Sequence, residues 1–351
     1  MTSARRRFQA ERTAASMFAD PDAVAASARA LADAERRIDE SFDPNAPAVD
    51  ELAAAVRVVR ANVLEAGARG LEKTARDPDI ELTPHEELGL EAIVLRFGRP
   101  ALLVQHGDFT TDLPTGWEVL DDHRDAIGES IARVGRVEVD GHPDFEWLGT
   151  GFLVADDVLM TNRHVAMEFA RRDGAEWSFR TGRSATWDVL EESGFPGQRE
   201  FAIQGIIGVH DADLVDLALL RVEPIGDLPA PVTLATTAPD DLIDRKVYVV
   251  GYPAADGRRN DPADMSRIFA DIYNVKRLQP GTLTATADPN VLLHHDCSTL
   301  GGNSGSPVFD LETHHVVGLH FGGKYLAGNN AVPIWSLTGD PLVAKADLNY
   351  A

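Results

Sequence analysis

The sequence predicts a helical N-terminal region of about 130 residues followed by an all-β domain of about 215 residues, of sandwich or barrel type. Two observations predict this. In the first third of the chain, apolar residues recur at helical spacing. From about residue 135 the texture changes to short β-rich runs broken by Gly, Pro, Asp and Asn. No internal repeat, low-complexity tract or Pro-rich linker interrupts either part. The expected division is therefore 1–134, helical, and 135–351, β.

The elements follow in order. "DPDAVAASARALADAERRIDESF" carries Ala and Leu at helical spacing. "DPNAPAVDELAAAVRVVRANVLEAGARGLEKTARD" does so more strongly, through Leu52, Val56, Val59 and Leu64. Both open near Asp-Pro, a helix start signal. "TPHEELGLEAIVLRF" reads as a third helix, with Thr83 as N-cap and Glu86 as its capping-box partner. "RPALLVQHGDF" reads as a strand and "TGWEVLDDHRDAIGESIARV" as a further helix. The β-runs are "GRVEVDG", "EWLGTGFLVADDVLMTNRHVA", "LALLRVE", "KVYVVGYP", "GTLTATAD", "NVLLHHD" and "SPVFDLETHHVVGLHFGG".

Bulk properties narrow the function classes. A length of 351 residues allows two domains, and 44% apolar residues supply a core. The formal net charge of −23 repels phosphate backbones and anionic lipid, which argues against nucleic acid and membrane as partners. No apolar run approaches the roughly 18 residues needed to span a bilayer. The single cysteine, Cys297, excludes an intrachain disulfide. "MTSARRRFQAERTAASMF" has no apolar stretch behind its basic residues, so no secretory signal is visible. A cytoplasmic location is the expectation.

"DCSTLGGNSGSPVFD" raises the functional question. Acyl transfer from a serine needs an attacking hydroxyl, an imidazole to take its proton, a carboxylate to fix the imidazole tautomer, and N–H donors for the oxyanion. Ser304 is a candidate nucleophile, or a turn residue before a strand. Gly302 and Gly305 permit backbone conformations closed to other residues, so the N–H groups of Gly302 and Ser304 can converge on one point. His164 stands where the strand "VLMTN" ends. Asp216 directly precedes the apolar run "LALLRV", where burial and hydrogen bonds can keep its pKa low. Asp211 and Asp213 compete with it.

His164, Asp216 and Ser304 occur in that order, 52 and 88 residues apart, each at the edge of a β-run. "GTGFLV…TNRHV", "DLALLRV" and "GGNSGSPV" resemble the chymotrypsin-like serine peptidases over roughly residues 135–345. The resemblance implies an all-β double barrel after the α-helical N-terminal region, and a serine endopeptidase that needs no cofactor or metal. It makes His164 the general base, Asp216 its orienting group and Ser304 the nucleophile, with Gly302 and Ser304 N–H groups as the oxyanion hole. Peptides or proteins are the implied substrates.

Departures from the family pattern are informative. Digestive members carry Asp before the catalytic serine, where it pairs with a freed N-terminal amine; here Asn303 cannot form that pair. The paired cysteines of secreted members are absent. The Asn-Ser-Gly-Ser-Pro form is similar to the bacterial glutamyl-endopeptidase-like branch, in which a hydroxyl and a His receive an acidic side chain. Thr299, five residues before Ser304, and His320 match that pattern, and Gly322 and Gly323 would leave the pocket mouth open to substrate backbone. Cleavage after Glu or Asp is the resulting expectation, with Ser298 where a Lys/Arg-specific pocket would want a carboxylate and Asp296 out of register for that role.

Two other readings compete: an HtrA-like quality-control protease, weakened because 47 residues after Ser304 are few for a PDZ module, and a catalytically silent scaffold. The helical region is expected to regulate the enzyme or bind a regulatory protein partner. "HHDC" and "THH" match no familiar metal-ligand spacing. Cys297 reads as a small core residue. "DGRRNDPADMSRIFADIYNVKRLQPG" reads as an insertion between β-runs, bordering the cleft or lying on the surface.

Overall fold

A computed structural model describes residues 20–40, 48–77, 80–86 and 99–351, except 175, 196, 225, 227, 256–261, 285 and 325–327. The chain divides into two compact units, residues 1–100 with 112–119, and residues 101–111 with 120–351.

In the first unit, helix α1 (Pro21–Glu40) and helix α2 (Ala48–Arg76) pack together. Asp20 caps α1 by accepting from Ala23 N–H at 2.9 Å, as the Asp-Pro start signal implies. The shared core consists mainly of alanines, Ala25, Ala28 and Ala32 against Ala61 and Ala68, closed by Val24, Leu64 and Leu71. Small side chains let the two backbones approach closely. Arg29 and Glu72 form a two-pronged ion pair beside this core, which pulls the Glu72 carboxyl below its ordinary range. The expected capping box is present: Glu86 N–H donates to Thr83 Oγ1 at 3.3 Å, and Thr83 N–H to Glu86 Oε2 at 3.0 Å. The rest of that helix, and the side chains of Leu52, Val56 and Val59, lie outside the described residues.

The second unit is a double barrel. The first barrel closes from β3 (Val134–Asp140), β4 (Trp147–Ala155), β5 (Val158–Thr161), β8 (Ser184–Asp188), β9 (Glu200–Val209) and β10 (Ala218–Val222), in the order β10-β5-β4-β3-β8-β9. Between β5 and β8 lie a single helical turn, Arg163–Ala166, and a two-stranded hairpin of β6 (Ala170–Asp173) and β7 (Glu176–Phe179). Inward side chains such as Val137, Leu153, Leu159, Trp187, Ile203 and Leu220 fill the barrel. Each such fully buried aliphatic side chain contributes about 1.5–3 kcal/mol.

The second barrel closes from β11 (Lys246–Gly251), β12 (Arg277–Thr284), β13 (Leu293–His295), β14 (Pro307–Asp310), β15 (Val316–Lys324) and β16 (Gly328–Pro333), in the order β11-β14-β15-β16-β13-β12, with β12 returning to β11. The hairpin of β1 (Leu102–Gln105) and β2 (Asp108–Phe109) adds to β12. The predicted helix before the β domain is observed as α3 (Arg124–Ile131), after a short helical turn. The insertion before β12 carries helix α4 (Pro262–Phe269). Sequence reading missed β6 to β9 and β16.

Lys276 ties the barrels together. It is fully buried, and its Nζ donates to Ile131 O at 3.1 Å and Val189 O at 2.6 Å, while its own N–H donates to Glu191 O at 2.8 Å. Burial pushes its pKa down to about 8. No described helix is long and apolar enough to cross a membrane.

Candidate active site

Strand β5 ends at Thr161, and the helical turn Arg163–Ala166 presents His164 at the surface of the first barrel. The strand β10 begins two residues after Asp216 and draws it inward, because Leu217 to Leu220 are wholly buried. The two side chains meet: His164 Nδ1 lies 2.6 Å from Asp216 Oδ2, and His164 N–H donates to Asp216 Oδ1 at 3.0 Å. Asn162 Nδ2 holds the Asp216 main-chain carbonyl at 2.9 Å. Burial pushes the Asp216 carboxyl up, but the hydrogen bond and charge of His164 outweigh it, and its pKa falls below the ordinary value. An ionised carboxylate only accepts, so in the neutral ring the His164 proton sits on Nδ1 and Nε2 keeps its lone pair. Of the competing carboxylates, Asp211 pairs with Arg172 at 2.9 Å, and Asp213 is exposed.

Ser304 sits on the turn between β13 and β14. This turn and the His164 turn meet across Gly149: a Cβ there would come 2.8 Å from both Ser304 O and Val165 Cγ2. Gly302 and Gly305 both have φ of +88°, which other residues rarely adopt. Space forbids a side chain as well, since a Cβ on Gly302 would lie 2.4 Å from Trp147 and from Tyr252 O, and one on Gly305 2.1 Å from Thr150 O.

The turn's main-chain groups can be followed one by one. Gly301 O accepts from Ala254 N–H at 2.6 Å, and Ser304 O from Thr150 N–H at 2.8 Å. Gly302 O accepts from Thr150 Oγ1 at 2.9 Å. Asn303 N–H donates to Leu300 O, Gly305 N–H to His320 O, and Ser306 N–H to Asn303 O. Among the described residues, the N–H groups of Gly302 and Ser304 donate to no backbone carbonyl. The buried Asn303 amide folds back on the same turn, its Nδ2 lying 3.4 Å from Leu300 O.

Thr299, His320 and Gly322 lie in the second barrel. His320 is buried beside His295, with Nδ1 3.0 Å from His295 Nε2. Burial, then the charge of His164, pushes the His320 pKa down to about 3, so the ring is neutral. Thr299 donates its hydroxyl proton to Asn329 Oδ1 at 2.8 Å, and Asn329 Nδ2 donates to Cys297 O at 2.6 Å. A Cβ on Gly322 would meet nothing within 4 Å, whereas one on Gly323 would fall 2.1 Å from Asn329 Oδ1.

Asn329 is the neighbour that sequence reasoning missed. No motif marks it, and the β15–β16 register, with Gly323 opposite Asn329, brings it there. Asp296 is held by Thr282 N–H at 2.7 Å, away from the pocket role. Cys297 is buried as a small core residue against Gly281. One histidine of each of "HHDC" and "THH" bonds inside the fold: His295 bonds His320, and His314 bonds Tyr248. Ala254, two residues before the insertion, contacts the Ser304 turn through its N–H, and residues 256–261 of the insertion lie outside the described residues.

Residues 149–319 match the family model of the trypsin-like peptidase domain. The chain is 29% identical over 192 residues to a glutamyl endopeptidase of Staphylococcus epidermidis, covering 53% of this chain and 58% of the relative. It is 27% identical over 217 residues to a glutamyl endopeptidase of Staphylococcus aureus, covering 59% and 56%. The chain thus spans less than two thirds of these relatives' length. Among solved structures, the active form of the Rv3671c protease of M. tuberculosis is similar at 19% identity and a TM-score of 0.43, over 63% of this chain and 84% of that one. With its two closed barrels and the match over residues 149–319, the second unit resembles the trypsin-like peptidase domain of the chymotrypsin-like serine peptidases.

Proposed function

We propose that this domain is a serine endopeptidase working through Ser304, His164 and Asp216. The observation that carries the reading is the His164–Asp216 contact, which in the neutral ring directs the proton to Nδ1, beside a turn in which the N–H groups of Gly302 and Ser304 donate to no backbone carbonyl among the described residues. Ser304 Oγ attacks the scissile carbonyl and His164 Nε2 takes its proton. The oxyanion is received by the Gly302 and Ser304 N–H groups. Collapse breaks the C–N bond, and His164 hands the proton to the departing amine. Water, deprotonated by His164, then cleaves the acyl ester and restores Ser304. Wild-type protein should hydrolyse peptides in a mixed library, and folded Ser304→Ala should hydrolyse none. Equal hydrolysis by Ser304→Ala would overturn the reading.

We further propose cleavage after Glu or Asp, with Thr299, His320 and Gly322 at the pocket. Support comes from the glutamyl endopeptidase relatives and from the protonation of the histidine pair. Buried His295 Nδ1 has no partner. A bare buried acceptor costs less than a buried N–H without an acceptor, so the His295 proton belongs on Nε2, donating to His320 Nδ1. That leaves His320 Nε2–H as a neutral donor for a substrate carboxylate, while the Thr299 hydroxyl is held by Asn329. His320→Ala should lower the preference for Glu over Leu at the cleaved position by about 10-fold or more, the scale of one lost hydrogen bond to a charged group. An unchanged cleavage profile would count against the pocket assignment.

A further inference from the structure

Thr150, on strand β4 of the first barrel, makes two hydrogen bonds to the Ser304 turn and one to the neighbouring strand β5. Its Oγ1 lies 2.9 Å from Gly302 O, its N–H donates to Ser304 O at 2.8 Å, and its own carbonyl accepts from Thr161 Oγ1 at 2.7 Å. Thr150 and Thr161 are both wholly buried. A carbonyl oxygen cannot donate, so the Thr150 hydroxyl must be the donor to Gly302 O. Thr161 in turn fixes the Thr150 peptide from the neighbouring strand. A Cβ on Gly305 would lie only 2.1 Å from Thr150 O, so the turn rests directly on this strand.

These bonds act on the peptide units around the N–H groups of Gly302 and Ser304. A peptide is planar, and its C=O and N–H point in opposite directions. Ala254 N–H holds Gly301 O and so orients the N–H of Gly302. Ser306 N–H holds Asn303 O and so orients the N–H of Ser304. The unit between them joins Gly302 C=O to Asn303 N–H and has the Thr150 hydroxyl as its carbonyl's donor. Gly302, at φ +88°, has no side chain to resist rotation of that unit. Removing the hydroxyl leaves Gly302 O without its donor, and the turn can relieve that by rotating the carbonyl toward water. The same rotation would pull Ser304 N–H away from Gly302 N–H.

We propose that Thr150 is a positioning residue for the reaction: its hydroxyl holds the Gly302–Asn303 peptide so that the Gly302 and Ser304 N–H groups converge on one oxyanion. This rests on the serine peptidase reading above. Thr150 touches no reacting atom and acts through the turn. Its hydroxyl, as distinct from its bulk, is therefore the feature required.

The test is phosphonylation kinetics of the full chain with a fluorophosphonate probe, separating kinact from KI for wild type, Thr150→Val and Thr150→Ser. Valine keeps the branched shape and deletes the donor; serine keeps the donor. Thr150→Val should lower kinact about 10- to 100-fold, the scale of misplacing one oxyanion donor. KI should stay within about twofold, because only the transition state uses the lost interaction. Thr150→Ser should retain a kinact near that of wild type, which a purely packing role would not predict. Thr150→Ala gives the same readout should valine prevent folding. Wild type that reacts while folded Thr150→Val reacts equally fast overturns the proposal alone, as does a serine variant as slow as valine. A folded wild type that never reacts overturns the peptidase reading and this proposal with it.

Discussion

Asp216→Asn is expected to lower kcat by about four orders of magnitude with KM nearly unchanged. Both Asp216 oxygens serve His164, one the ring and the other the main-chain N–H. An amide can keep the main-chain bond through its oxygen, but its nitrogen then faces His164 Nδ1 and must donate. The ring would be forced to carry its proton on Nε2, where it cannot accept from Ser304. The fold should survive, since Asn fits the same volume and the Asn162 bond to the Asp216 carbonyl is main-chain on the Asp216 side. Steady-state kinetics on one cleaved peptide, with circular dichroism as the folding control, checks this. A loss below about tenfold would mean that Asp216 does not set the tautomer.

The second large effect is acid lability from the buried His295–His320 pair. His320 has its pKa pushed down to about 3 by burial and by the charge of His164. His295 is driven well below its ordinary value by burial, then by His320 and His294. In the unfolded chain both return to about 6.5. The folded state therefore resists protons that the unfolded state accepts, and stability is lost as pH falls below about 6.5. The His320 shift alone costs about 2 kcal/mol between pH 7 and pH 5, and the His295 shift acts in the same direction, against a typical stability of about 5–15 kcal/mol. Urea midpoints at pH 7, 6 and 5 should fall steeply, and His295→Phe should flatten the fall by about half. Equal stability at pH 7 and pH 5, or an unaltered slope in the variant, would contradict the neutral buried pair.

Much of this architecture was legible because its signals are local. The Asp20 cap and the Thr83–Glu86 box announce helix starts within four residues. The double-barrel strands that carry the motifs stand out as apolar runs between turn residues. The missed strands lack that signal. The β6–β7 hairpin reads "ARRDGAEWSF", and most of its side chains are exposed or half-buried, so no alternation marks it. In β9, Phe201 and Ile203 do alternate inward, but the second half, around Gly205 and Ile206, loses the pattern.

The candidate site divides in the same way. Ser304, Gly302 and Gly305 were readable because positive φ and close approach demand glycine at fixed offsets. Asp216 could be preferred over Asp211 and Asp213 because it directly precedes a buried strand. Asn329 and Thr150 were not readable, since each reaches its partner across a strand register or a barrel seam that no spacing records. The neutral state of His320 was also hidden: it depends on His295, 25 residues earlier in the chain, meeting it in three dimensions.

The central claim is that Ser304 is an activated nucleophile on this fold. Intact-mass and peptide-level mass spectrometry after treatment with a fluorophosphonate tests it most directly. The account predicts one phosphonyl adduct per chain, on Ser304, absent from folded Ser304→Ala and strongly slowed in Asp216→Asn. A folded wild-type chain that gains no adduct, or gains it on another residue, would contradict it.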